Sequence, residues 1–426
     1  MRPRQTTMLY QTAARAWLTV AIGSLALPVD VRHGVWLPLH LTLAGAVSVA
    51  ISGSMQTFSA ALTASGPPTT GWTVIQFALV NVGAASIAVG RSAEMTWLVA
   101  VGGATFVVAI AVLGAIVVAA RRRAVHRRHD AITGLYLVAL GCVVAGGAIG
   151  AVMGSGRVGD AGTWIALRRT HVVLNVLGWA SLTIAATLVT MMPAILRIRM
   201  PRGHTVMTMV GLVGGLALLS TGFLTGVPEL PAAGGLLHAV GAIGVGTLVA
   251  ASAGADRRWA APTAALHLVA ASVWFVAGSV ALFVAVADGP GGFDRFRDPF
   301  LLIFVGGWIV QILLGAWSYL VPMARPGHPD DRRRILAAME TGGRVQVAAG
   351  NAGLLLLVAR AAGWVPSVLG WAGAAAALAV AAFVLTKVWA APAIAAFTAP
   401  SDRARAIWGS TAVGADRAPG RRSVGG

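Results

Sequence analysis

Along the chain, long uncharged stretches alternate with short polar ones that carry most of the arginines. Twelve apolar segments stand out, at about 13–29, 35–62, 72–90, 96–120, 132–154, 165–195, 206–226, 231–252, 261–286, 299–323, 345–364 and 367–397. Most run for 18 residues or more, the length an α-helix needs to cross the hydrocarbon core of a bilayer. None shows the two-residue alternation of a membrane β-barrel strand. The pattern therefore predicts an all-α, polytopic membrane protein of about twelve transmembrane helices. Residues 1–398 form that domain and 399–426 a polar, disordered cytoplasmic tail. Between 323 and 345 the polar, basic run from Pro326 to Arg334 reads as a loop, with a short interfacial helix around Ile335–Glu340. The loops leave no room for a soluble domain.

Composition agrees with the pattern: 57% of residues are hydrophobic and 11% charged. The net charge of +18 raises the question of nucleic acid, but the arginines lie between apolar runs rather than on one face. That placement follows the positive-inside rule and suits anionic headgroups, so the expected partner is the lipid bilayer and not nucleic acid. With the N-terminus in the cytoplasm, 23 of the 32 basic residues fall on the cytoplasmic side and eight on the other, with Lys387 inside the last helix. The expected location is a bacterial inner (plasma) membrane, crossed many times, with both termini cytoplasmic. The first apolar run lacks a small-x-small cleavage site before Asp30, so it is expected to stay as a helix. Cys142 is the one cysteine, which excludes an internal disulfide and any cysteine-rich metal site.

The sixth and tenth segments match without gaps. Val176-Leu-Gly178-Trp179 falls on Val305-Gly-Gly307-Trp308, and Pro193 on Pro322. A weaker match lays His40-Leu-Thr-Leu43 on His171-Val-Val-Leu174, an offset of 131 residues. Segments two, six and ten are each four apart, which suggests three pseudo-repeated four-helix units about a threefold axis.

No acid lies deep in a span, which weakens a proton- or sodium-coupled transporter and removes paired-carboxylate hydrolysis. No phosphate loop, His-Glu-x-x-His pair or nucleophile triad is present. Histidine remains. His33, His126, His129, His204 and His328 sit in loops or near ends, whereas His40, His171, His238 and His267 sit in spans. The first three of these lie at similar depth, within about two turns of the outer surface. They either converge on a haem or a copper ion, or each hydrogen-bonds a neighbouring helix. His267 enters from the other side. Arg168 and Arg169 either clamp an anion such as a propionate or snorkel to headgroups. Asn175, one turn after His171, either orients that ring or bonds another helix. Gln311 and Asn351 read as interhelical amides, and Trp308, Trp317 and Tyr319 as packing or belt residues.

The run from His171 through Asn175 and Gly178-Trp179 to Met-Met-Pro193 resembles the membrane module found in some bacteria ahead of copper-type nitrite reductase or multicopper oxidase domains. His40 to Phe58 and Gln311-Ile-Leu-Leu-Gly-Ala-Trp-Ser-Tyr-Leu-Val-Pro322 resemble it too. That module is similar in layout to the haem–copper oxidase superfamily, including the nitric-oxide-response membrane proteins that bind haem and copper. The resemblance implies three four-helix arcs with ligand histidines on helices two, six, seven and ten. Here helices two and six supply His40 and His171, the expected metal ligands. Helix seven has no histidine pair, helix ten offers Phe300 and Gln311, and Thr57 stands where the module keeps a second histidine. No cupredoxin domain follows within the 426 residues.

The resemblance therefore implies a single b-type haem, held by His40 and His171 or with His238 as a partner, rather than a complete oxidase site; copper ranks behind haem. The implied role is electron transfer or nitric oxide and nitrite metabolism, with an extracytoplasmic redox partner such as a cupredoxin-type nitrite reductase. Whether the chain is an enzyme stays open. Two other readings compete: a small-solute transporter or permease, and a membrane scaffold without a cofactor.

Overall fold

Every apolar run becomes a helix, because a backbone in lipid must satisfy its own hydrogen bonds. The computed structural model describes residues 1–199, 205–255, 262–289, 291–324 and 329–396; the tail, His204 and His328 lie outside the described residues. Among the described residues there is no strand. The helices are α1 (Pro3–Gly23), α2 (Trp36–Thr63), α3 (Thr70–Ser92), α4 (Thr96–Arg122), α5 (Asp130–Gly154) and α6 (Ala161–Leu196). They continue as α7 (Thr205–Thr225), α8 (Glu229–Ala255), α9 (Thr263–Ala287), α10 (Gly292–Ala324), α11 (Pro329–Ala361) and α12 (Ser367–Ala396). A turn at residues 341 and 342 splits α11 into Pro329–Glu340 and Gly343–Ala361, so the short helix expected near Ile335 is real and longer.

Eleven of the twelve are long and apolar enough to cross a bilayer, and α1 is the exception. Its position also corrects the expected span 13–29. The helix starts at Pro3, where a proline costs nothing because the first-turn N–H has no helical partner, and the chain turns at Ser24–Ala26. Hydropathy misplaces α1 because its polar side chains face inward. Gln11 donates to the Ala50 carbonyl (3.2 Å) and accepts from the Trp317 indole (2.7 Å), and Arg15 donates to the Val388 carbonyl (3.0 Å). These bonds tie α1 to α2, α10 and α12.

Three helices form the centre. The apolar windows of α2, α6 and α10 are 67%, 78% and 72% buried, against 22–39% for the other eight apolar crossings among the described residues, which face lipid. Each central helix also contains a π-helical stretch: Leu41–Val47, Leu174–Ser181 and Leu302–Val310. A glycine sits inside each stretch and receives a side chain from the preceding helix. A Cβ on Gly45 would stand 2.7 Å from Trp17, on Gly178 2.6 Å from Cys142, and on Gly307 2.6 Å from Trp274. In the first and third units that indole donates to an amide oxygen, Trp17 to Asn81 (2.7 Å) and Trp274 to Asn351 (2.6 Å).

Those glycines set the register of the repeat, with offsets of 133 and 129 residues. The second is the sequence match between helices six and ten. The first corrects the expected 131: Pro38, not His40, is the counterpart of His171. Hydrogen bonds then link the repeats in order. Trp179 donates to Ser48 (2.9 Å) and Trp308 to Ser181 (3.0 Å), while each serine donates to the carbonyl five residues back. The third side of this ring carries Ala46 and Val310 at the corresponding positions and has neither donor nor acceptor.

Candidate functional site: a histidine pair between the first and second repeats

His40 ends the first helical turns of α2, one residue before its π stretch, and His171 lies three residues before that of α6. Both helices enter from the face opposite the N-terminus, and the two rings meet there. Their centroids are 6.4 Å apart and their planes differ by 18°. The two π stretches start at equivalent positions of the repeat, Leu41 and Leu174, so His171 stands two residues further from its π stretch than His40 does.

Both rings are held through the same nitrogen. His40 Nδ1 lies 2.8 Å from the carbonyl of Trp36, and His171 Nδ1 lies 2.7 Å from the carbonyl of Gly146 on α5. A carbonyl oxygen only accepts, so each Nδ1 carries the proton and each Nε2 keeps a lone pair. That is the arrangement of a histidine prepared as a metal ligand, with the distal nitrogen fixed by a carbonyl. No hydrogen bond to either Nε2 occurs among the described residues. Trp36 stacks on His40 at 4.0 Å. Gly150 makes room for His171, since a Cβ there would stand 2.8 Å from the ring.

Asn175 belongs to the same corner but not as an orienting acceptor. Its amide donates to the His171 backbone carbonyl at 2.7 Å, and its 3.4 Å approach to Nδ1 meets a nitrogen already protonated. Gly146 accommodates it, because a Cβ there would lie 2.4 Å from the amide. Arg168 and Arg169 have a partner that the sequence did not suggest. Both pair with Asp294 at the start of α10, Arg168 at 2.9 Å and Arg169 through two contacts, one of them 3.1 Å. Arg168 also lies over Trp164 and Arg169 over Phe223. The pair thus fastens α6 to α10, and neither free snorkelling nor an unengaged anion clamp describes it. Asp294, five residues before the apolar run 299–323, was visible in the sequence, but Arg295 and Arg297 beside it hid the distant pairing; in the fold they bond Asp288 and Asp298 instead.

The expected convergence of three histidines reduces to two. His238 is fully buried on α8, set edge-on to Phe275 of α9 at 5.7 Å, and neither ring nitrogen has a partner. No group of three or more His, Cys, Asp or Glu capable of holding a metal occurs among the described residues. His238 misses the pair because its backbone packs directly against Gly215 of α7, which turns the ring toward α9. In the third repeat the residue corresponding to His171 is Phe300. It is fully buried among Phe293, Phe296 and Phe304, at 4.6–6.4 Å between centroids. Packed rings fill that position, so the third unit has no ligand pocket there.

At the opposite face a separate polar cluster forms. His267 lies 3.1 Å from the Gln346 amide nitrogen, and Lys387 donates to Gln346 (3.0 Å) and to the carbonyls of Met339 and Thr341. Lys387 therefore caps the C-terminal end of Pro329–Glu340, where carbonyls lack helical partners, rather than snorkelling to headgroups. Glu340 in turn accepts from the Thr263 backbone and hydroxyl (2.8 and 2.7 Å).

Neither a protein-family model nor a curated protein matches this chain.

Proposed function

We propose that the protein is a membrane redox protein of haem–copper-oxidase-like architecture, holding one b-type haem between His40 and His171. What carries the reading is the pair of nearly parallel imidazoles at 6.4 Å, each with Nδ1 engaged and Nε2 left with its lone pair. Two imidazoles on opposite sides of one metal, each bonded at about 2 Å, have centroids roughly 6 Å apart. The 6.4 Å between the two rings matches that spacing. Among the described residues no third protein ligand joins the pair, so the reading takes a group that would need two protein donors rather than a protein-only copper centre.

When bound, such a group supplies one-electron transfer. The chain's part is to keep both imidazoles neutral and aimed, through Trp36 and Gly146, and to shield them from lipid with Trp36. On this reading the histidine face is extracytoplasmic, the basic loops lie in the cytoplasm of a bacterium, and electrons pass to or from an extracytoplasmic partner such as a cupredoxin-type nitrite reductase. Nitrogen-oxide metabolism is the setting that the resemblance of α2, α6 and α10 suggests. Visible spectra of protein purified from haem-replete membranes test the proposal. A reducible haem band is expected in the parent protein and its loss in both His40→Ala and His171→Ala, with the His238→Leu variant unchanged. A correctly folded parent protein free of haem iron would sink it.

A further inference from the structure

Beyond the tryptophan–serine links, on the side away from the histidine pair, the three central helices separate around a cavity of about 70 Å³. Its walls repeat. Five, six, nine and thirteen residues after the π-stretch glycine, each of the three helices contributes a lining residue. The first of these tiers is Ala50, Thr183 and Ile312; the third is Ser54, Thr187 and Ala316. Val47, Ile309 and Gln11 of α1 complete the wall. The cavity therefore lies on the pseudo-threefold axis, where three similar helices with a shared bulge cannot all close.

Every polar side chain in the wall already has a hydrogen-bond partner. Thr183 donates to the Trp179 carbonyl (2.8 Å) and Thr187 to that of Thr183 (2.7 Å), with Tyr136 bonded to Thr187 (2.9 Å). Gln11 uses its nitrogen on Ala50 and Ser54 and its oxygen on Trp317. A buried water needs two to four polar partners, and an apolar cavity without them stays dry; one of roughly 150 Å³ takes xenon or benzene. At half that volume the space suits an occupant of one or two heavy atoms, or the methyl end of a chain.

We infer that this axial cavity binds a small uncharged apolar molecule, of the class of a dissolved diatomic gas or the terminus of a hydrocarbon chain. The site is independent of His40 and His171 and stands whether or not they hold a haem. Xenon is the probe. Crystals of the full-length protein grown from detergent and from a lipidic mesophase, pressurised with xenon, should show its anomalous peak between Ala50, Thr183 and Ile312. A peak in both assigns the site to dissolved gas. A peak in detergent, replaced in the mesophase by continuous chain density, assigns it to a hydrocarbon end.

Ala316→Phe should abolish the peak, and Ile312→Ala, which enlarges the space without adding bulk, should raise its occupancy. No peak in either crystal without chain density, ordered water in the cavity, or an occupancy indifferent to Ile312→Ala would overturn the inference.

Discussion

At the scale of single residues, the side chains that matter are those whose polar groups lack water. His40 and His171 were legible as intramembrane histidines because such residues are costly in lipid and stand out in an apolar run. Their pairing was expected only from the resemblance, since the residues alone do not fix the rotation of α2 against α6. Asp294 shows the same limit: its two arginine partners lie 125 and 126 residues earlier in the chain. Removing this carboxylate leaves two guanidiniums facing each other, and hydrogen bonds to charged groups contribute about 1.5–3 kcal/mol in protein interiors. The triad is 16–30% exposed, so solvent screening places the cost at the lower end. Asp294→Ala should therefore lower stability by about 1–2 kcal/mol, read as a lower Tm in detergent, and Asp294→Glu should recover part of it. An unchanged Tm would show that the ion pairs are not structural.

At the scale of elements, the helices were predictable almost to their ends, and the π stretches were not. A run that is apolar all round looks the same whether its backbone bonds to the fourth or the fifth residue back. The glycines are the sequence's one direct trace of these stretches, since each admits a neighbour that a Cβ would exclude. Gly178→Ala places a methyl 2.6 Å from Cys142 Cβ, and overpacking of this kind costs about 1–3 kcal/mol. Thermal unfolding should show that loss. It should be partly reversed by adding Cys142→Gly, whereas Gly307→Ala against the Trp274 indole has no comparable relief. A loss of equal size in the single and double variants would mean the strain lies in the π backbone itself. The first helix was the one element misplaced, because hydropathy counts Gln11 and Arg15 as solvent-seeking when both are bonded inside the bundle.

For the whole molecule, the division of labour follows from burial. Three central helices carry the histidine pair, the tryptophan–serine links and the axial cavity, while the outer helices present apolar surface to lipid. The path of the chain puts the loop at Gly66 on the N-terminal face and the loop at Ser155 on the opposite one. On a Cys142→Ala background, a cysteine at Ser155 should react with an impermeant maleimide in intact cells. One at Gly66 should react only after permeabilisation, given cytoplasmic termini. The reverse pattern would invert the orientation proposed from the arginine distribution.

The sequence by itself determined the class of protein, the number of helices, most of their boundaries and the four-helix period of the repeat. Each of these depends on sums over neighbouring residues, and a bilayer translates such sums directly into helices. The tertiary structure decided what those sums cannot carry. It brought together His40 and His171 out of four histidines in spans, gave Arg168 and Arg169 to Asp294, filled the third repeat with phenylalanine around Phe300, and left the axis open. All of these are set by how helices distant in the chain are rotated and spaced, and in lipid that is governed by shape and a few hydrogen bonds rather than by hydrophobicity. An apolar sequence records such packing only faintly, in its glycines.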